Sequence, residues 1–538
     1  MIYVGHILAA LVSLAAADFS WSVGVQRPYA VALLAVAPIL LAMGVRRLML
    51  RGRFRAAAIG ERLLSILPIL LQWMAVTLFG WFETLEAYLG VRLSLESWPD
   101  LRLLYGLAPF LVYQVLAIDA IARTNSSPGR GFERARNFHL RFFFSALVPF
   151  LVYLTASTAV GQSEVVRINV EEVTLYSAAL GLCLMGFLLW FLPGLIRRTW
   201  DTVPVEQGWL REMLEAVARQ ARFHFKELLL WRTGRQMSNA AIVGLTPKNR
   251  VVLFSDSLLT QLRPDELAAV FAHEIGHARR GHIVSVASWS LFCLLGAHVI
   301  VSWLGEGDGF VLLTTYVTAL TVWYFSFGYM SRRLELEADL ESRAIFGESG
   351  ALIRALSKVC GSHGREDRSW RHFSPTHRMR FLQQVDRDPE LGRKFQRRLR
   401  RWALVGRALC VVILLLEGIQ LAQSWTIERL TAELRLGDYA EAMRLVEATR
   451  DQLDPQVVGL VEFGSRLPAG IGKDALEADG LRELEGGAIE NAARYIELAI
   501  LRGRRDLVPV YLALGAGENG RDLGELPEPW RKALRAHE

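Results

Sequence analysis

The chain has 538 residues, of which 52% are hydrophobic and only 21% charged. That balance excludes an ordinary soluble protein of this length and requires several membrane spans. The net charge of +7 does not point to nucleic acid, because the arginines sit in short loops between apolar runs rather than on one face of a polar domain.

A helix needs about 20 mostly apolar residues to cross a bilayer. Nine runs approach that length: 2–17, 29–45, 63–82, 103–122, 142–160, 173–195, 283–304, 309–330 and 402–424. The first has no basic residue before it and no clean cleavage site, so it reads as a retained span rather than a removed signal peptide. Loop charges orient the set. Arg46, Arg47, Arg51, Arg53 and Arg55 follow the second run, and Arg123, Arg130, Arg134, Arg136 and Arg141 follow the fourth. Arg197 and Arg198 follow the sixth, Arg332 and Arg333 the eighth, and Arg397, Arg398, Arg400 and Arg401 precede the ninth. The alternate loops carry Glu83, Glu86, Glu96 and Asp100, then Glu164, Glu171 and Glu172, then Glu306 and Asp308. Nine spans with the N-terminus in the cytoplasm put every basic loop on one side. The expected organisation is a six-span membrane domain over 1–198, a cytoplasmic domain over 199–401 that includes the spans 283–304 and 309–330, a last span at 402–424, and a soluble tail over 425–538 outside the cytoplasm. The arginine-over-lysine bias points to a GC-rich bacterial genome, and with the spans the expected location is a bacterial inner membrane.

Within the cytoplasmic part, Val251 to Phe254 reads as a strand and Leu262 to Gly281 as a helix, opened by Pro264, Asp265 and Glu266. A second helix is expected over Ser331 to Ile345. The tail reads as helical. Its Gly437-Asp438-Tyr439 and Gly486-Gly487 starts resemble the second halves of tetratricopeptide hairpins, a form that can receive a protein partner; a small helical domain without a fixed partner is the alternative. Cys183, Cys293 and Cys410 lie inside apolar runs and Cys360 stands alone, so all four read as packing residues.

Residues 273–277 read HEIGH. Two histidines four apart leave one face of a helix and can share one zinc, and Glu274 between them can reach an attacking water without being a ligand. A hydrolytic zinc takes three protein ligands and keeps one open position. The second helix offers Glu335, Glu337, Asp339 and Glu341. Glu335 and Asp339 share a face, so one can ligate while the other steadies a ligand histidine; Glu337 points away. Charge runs of this kind ordinarily form a solvated face. The two spans between the motifs return the chain to the side it left.

HEIGHARRGH and SRRLELEAD resemble the HELGHxxxGH and SRxxEFxAD motifs of the integral-membrane zinc metalloproteases of peptidase family M48, which include the CAAX prenyl endoproteases and the heat-shock protease HtpX. The resemblance runs from about Arg197 to Leu382. It implies a gluzincin-like α+β domain holding one zinc per chain on His273, His277 and Glu335, with Asp339 behind a ligand and Glu274 as general base. It also matches Ser238-Asn239-Ala240 and 251–259 to strand segments, so that Asn239 and Ala240 would lie along an extended substrate. Trp370, His372, Phe373 and Ser374 resemble a later W-H-[YF]-S segment, interrupted by Arg371. His372 or His377 would then face the reaction intermediate, with His372 the first choice. His282 also matches a family histidine and reads as an interfacial structural residue. The implied protein is a predominantly α, multi-span membrane zinc metalloendopeptidase acting on protein or peptide substrates. The reading from another class is a membrane sensor or scaffold that binds partners through a metalloprotease-like fold.

Overall fold

The computed structural model describes residues 6–7, 9–10, 28–85, 104–125, 130–304, 309–359, 373–468, 470–515 and 526–535. Among these, five helices are long and apolar enough to cross a membrane: Pro28–Leu50, Gly131–Gly161, Thr174–Thr199, His282–Leu304 and Pro389–Leu436. They account for five of the nine expected runs. The runs at 63–82, 103–122 and 309–330 fall on helices at Phe54–Thr77, Ala108–Asn125 and Gly309–Phe346, which do not join that set. The first run lies mostly outside the described residues.

One compact unit comprises Met1–Ala156 with Leu184–Leu416. Its sheet has the order β1-β2-β4-β3, with β1 at Thr202–Pro204, β2 at Glu227–Trp231, β3 at Ala240–Val243 and β4 at Val251–Ser255. Only β2 and β4 run parallel, in the register Leu229 to Leu253. Every residue of β4 is buried, which is why its sequence is a continuous apolar run without alternation. One face, carrying Val252 and Phe254, packs on Phe271 and Ile275 of the HEIGH helix. The other, carrying Val251 and Leu253, packs on Ile196, Phe138 and Phe142 from the ends of two apolar helices. Phe271 takes edge contacts from Phe223, Phe225 and Phe254 at 5.9–6.5 Å, and its burial contributes roughly 1.5–3 kcal/mol.

The HEIGH helix spans Pro264–Arg279 and starts where its signals placed it. The Glu266 carboxylate accepts the Arg263 backbone N–H at 2.8 Å and is held from behind by Lys358 at 2.6 Å, satisfying a donor the first turn leaves over. The acidic helix differs from expectation. It does not begin at Ser331 but continues one 38-residue helix, Gly309–Phe346, so the apolar run and the acidic motif share an axis. No proline or glycine interrupts it at 331, and Arg332 and Arg333 are good helix formers.

The second unit comprises Ser157–Cys183 with Glu417–Glu538. Helices including Tyr439–Thr449, Pro455–Ser465, Lys473–Glu485 and Ile489–Leu501 surround a core that contains Leu476, Ile496 and Trp530. Gly437 and Gly487 take φ of +75° and +85°, a left-handed turn that a side chain would strain, just before two of these helices. The segment Glu164–Thr174, with its short helix Glu164–Glu172, makes three polar links within this unit: Glu428 accepts from the Thr174 N–H and hydroxyl at 3.0 and 2.8 Å, Arg429 donates to Asn169 at 2.6 Å, and Arg435 pairs with Glu172.

Candidate metal centre

The HEIGH helix and the acidic helix meet at Gly276. A Cβ there would lie 3.0 Å from the Ala338 Cα and 3.1 Å from its carbonyl oxygen. Ser342 fixes the crossing by donating to the Ala269 carbonyl at 2.8 Å. This close approach brings His273, His277 and Glu335 together, each offering a ligand atom within 4.8 Å of the others. The two Nε2 atoms are 3.2 Å apart, and Glu335 carboxylate oxygens lie 3.7 Å from each. Two imidazole nitrogens and one carboxylate oxygen suit a borderline-soft divalent cation such as zinc.

Each histidine is steadied on its far nitrogen. His273 Nδ1 lies 2.9 Å from the wholly buried Asp339. His277 Nδ1 lies 2.8 Å from His282 Nδ1, and His282 Nε2 lies 3.1 Å from Glu337. With His277 Nε2 kept bare for a cation, its proton sits on Nδ1 and donates to His282. The His282 proton then sits on Nε2 and donates to Glu337. Glu337 is therefore turned away from Glu335, as the spacing requires, but not toward water: it is 8% exposed. Glu341 is buried too, bound by Arg279 at 2.6 Å and Arg280 at 2.7 Å. These acids are buried and do not form the solvated face that charge runs ordinarily make; charge spacing alone does not reveal which element covers them. His282 is likewise more than an interfacial residue.

Arg378, which the sequence reading passed over, completes the site. It donates to both oxygens of Asp339 at 2.5 and 2.8 Å and lies 3.3 Å from Glu335. It projects from the helix Pro375–Arg387, which opens on Pro375 with Ser374 capping the His377 N–H. A lone arginine in an arginine-rich chain gives no signal of its own.

Burial works to raise the Asp339 carboxyl, but Arg378 and His273 outweigh it and hold it below its ordinary value. Burial works to lower His273, and the Asp339 hydrogen bond overrides it, raising the ring. For His277 burial and the neighbouring His273 charge act together, lowering it to about 3, which leaves the ring neutral and able to ligate. Glu274 lies beside His273 and Glu335, and desolvation pushes its carboxyl up to about 7, in the range that suits a general base near neutral pH.

Of the other expected residues, Ala240 begins β3 and Asn239 precedes it, its N–H donating to Ser255 Oγ at 2.9 Å. β3 is an edge strand, and the HEIGH helix packs against it. His377 is exposed, its ring stacked on Phe373 at 4.2 Å. His372 lies outside the described residues.

Residues 204–388 match the model of peptidase family M48. Both motifs, HEIGHARRGH and SRRLELEAD, fall inside that stretch, so the match agrees with the resemblance read from them. The chain is similar to a protease HtpX homolog of Moorella thermoacetica, 30% identical over 142 residues that make up 24% of this chain and 48% of that one. It is also similar to protease HtpX of Chromohalobacter salexigens, 30% identical over 28% of this chain and 56% of the relative. Protease HtpX of Pseudomonas syringae pv. syringae is 24% identical over 37% of this chain and 74% of its own. The chain thus spans about half the length of the first of these relatives. Among solved structures, Ste24p of S. mikatae aligns with a TM-score of 0.33 and 19% identity, over 53% of this chain and 88% of that one.

Proposed function

We propose that the chain is a zinc-dependent endopeptidase of a bacterial inner membrane, hydrolysing peptide bonds of membrane or membrane-associated proteins. The observation that carries this is the convergence of His273, His277 and Glu335 within 4.8 Å, with Glu274 beside them. Those three residues would hold one zinc. When bound, zinc polarises a scissile carbonyl and lowers the pKa of water toward 7. Glu274 takes the proton of the attacking water and returns it to the leaving amine. Asp339 and the His282–Glu337 pair keep each ligand ring in one tautomer and orientation, while Arg378 balances the carboxylate charge. A substrate strand lies extended beside Asn239 and Ala240, where β3, the edge strand of the sheet among the described residues, offers backbone pairing independent of side chains. His372, by family resemblance, steadies the oxyanion. The presence of Glu274 favours an enzyme over a scaffold, which has no use for a base at that place.

In this reading the domain 199–401 faces the cytoplasm and the tail lies outside. The Glu164–Glu172 segment, an acidic loop assigned to the outer side, shares a unit with the tail, as that sidedness requires. The functional test compares the wild-type chain with Glu274→Gln in detergent, on an unfolded protein substrate, with zinc measured in both. Cleavage by the wild type, its loss in the variant and unchanged zinc are expected. Full cleavage by Glu274→Gln sinks the assignment.

A further inference from the structure

On the side of the sheet away from the metal centre lies a cavity of about 330 Å³. Its wall is aromatic. Trp200 and Trp231 stack with centroids 4.3 Å apart, Phe142 lies 5.2 Å from Trp200, and Phe138 lies 5.6 Å from Trp231. Its lining carries three arginines against two aspartates, a net positive charge of one. Asp201 is matched by Arg141 at 3.5 Å. Asp256 is engaged by the Thr233 hydroxyl at 2.6 Å and the Gly234 N–H at 3.0 Å. Arg134 and Arg232 also line the cavity, both exposed, and neither has an ion pair among the described residues.

The place of the cavity matters as much as its lining. Phe142 begins an apolar run in the helix Gly131–Gly161, and Trp200 directly follows the helix Thr174–Thr199. Both helices are long and apolar enough to cross a bilayer, so the cavity sits where they leave the hydrocarbon. Phosphate headgroups lie at that level, and tryptophan and arginine favour it. We propose that this cavity binds the phosphate headgroup of an anionic phospholipid. Arg134 and Arg232 hold the phosphate, and the aromatic wall covers the start of the acyl chains. The sheet that backs the HEIGH helix is thereby fastened to the membrane surface at a second place, remote from the metal centre. A free phosphate would satisfy the two arginines but leave the aromatic wall unused.

The experiment titrates the delipidated full chain in detergent with phosphatidylglycerol, phosphatidylcholine or inorganic phosphate, counting bound ligand by native mass spectrometry. Phosphatidylglycerol should bind in preference to phosphatidylcholine. Arg134→Gln with Arg232→Gln should weaken it roughly tenfold, the loss expected for a charge-assisted contact. Arg134→Lys with Arg232→Lys should weaken it less, and Arg46→Gln with Arg51→Gln, which removes the same charge elsewhere, should leave it unchanged. Equal binding of the two lipids overturns the proposal, as does undiminished phosphatidylglycerol binding by the double glutamine variant. Displacement of the lipid by equimolar inorganic phosphate overturns it in favour of a free-anion site.

Discussion

Metal affinity should depend on a carboxylate that never touches the metal. Glu337 is joined to His277 only through His282, by contacts of 3.1 and 2.8 Å. Glu337→Gln keeps the shape of the side chain but removes the charge that orients the His282 proton. His282→Ala removes the link altogether and leaves the His277 Nδ1–H without an acceptor. Partners behind a ligand typically contribute 10–100-fold in metal affinity. Glu337→Gln should therefore weaken zinc about tenfold and His282→Ala closer to 100-fold, or roughly 1.4 and 2.7 kcal/mol. Because both act through one chain of hydrogen bonds, the double variant should be no weaker than His282→Ala alone. Competition against a chromophoric chelator in detergent measures this, with far-ultraviolet circular dichroism to check the fold. Unchanged affinity in both single variants, or additive losses in the double, would refute the reasoning.

Asp339→Asn leaves the Arg378 guanidinium, 12% exposed, without its principal partner; a loss of roughly 3–5 kcal/mol is expected in thermal or denaturant unfolding, and a loss under 1 kcal/mol contradicts the assigned pairing. Gly276→Ala introduces a methyl 3.0 Å from the Ala338 Cα, so it should cost about 1–3 kcal/mol and weaken zinc as well. Stability lost with zinc affinity retained would show that the helix crossing does not set the ligand spacing. In a variant lacking the native cysteines, an impermeant thiol reagent on intact cells should label Ser465→Cys and spare Lys248→Cys. Labelling of both or neither would overturn the sidedness.

The parts of the site written in one helix were readable in advance. HEIGH fixes two imidazoles on one face by spacing alone, and Pro264, Asp265 and Glu266 mark where that helix begins. The strand at Val251 showed itself as an unbroken apolar run because both its faces are covered. What escaped the sequence depends on neighbours distant in the chain. Arg378 reaches Asp339 across 39 residues, and His282 reaches Glu337 across 55. Nothing in local spacing distinguishes those partners from other arginines and acids. The same limit explains Glu337 and Glu341, whose pattern suits a wet surface until a second helix covers it. Counting spans suffered differently. Hydropathy marks apolar stretches, but the helices at Phe54–Thr77 and Ala108–Asn125, though long enough, fall short of the apolar composition that makes a crossing evident.

The four acids of the helix Gly309–Phe346 act together as a key cut for one lock. Glu335, Glu337, Asp339 and Glu341 sit at alternate positions, and each meets a different set of bases: His273 and His277 with Arg378, His282, Arg378 with His273, and Arg279 with Arg280. A slip of a single residue shifts the helix by about 1.5 Å and rotates it by about 100°, so it mismatches all four at once. A slip of one residue in either direction leaves no acid at any of the four places. Because the apolar half lies on the same axis, one residue inserted between 311 and 330 would turn the acids relative to that half by the same angle. The length of the apolar segment is therefore constrained by the chemistry beyond it as well as by the thickness of a membrane.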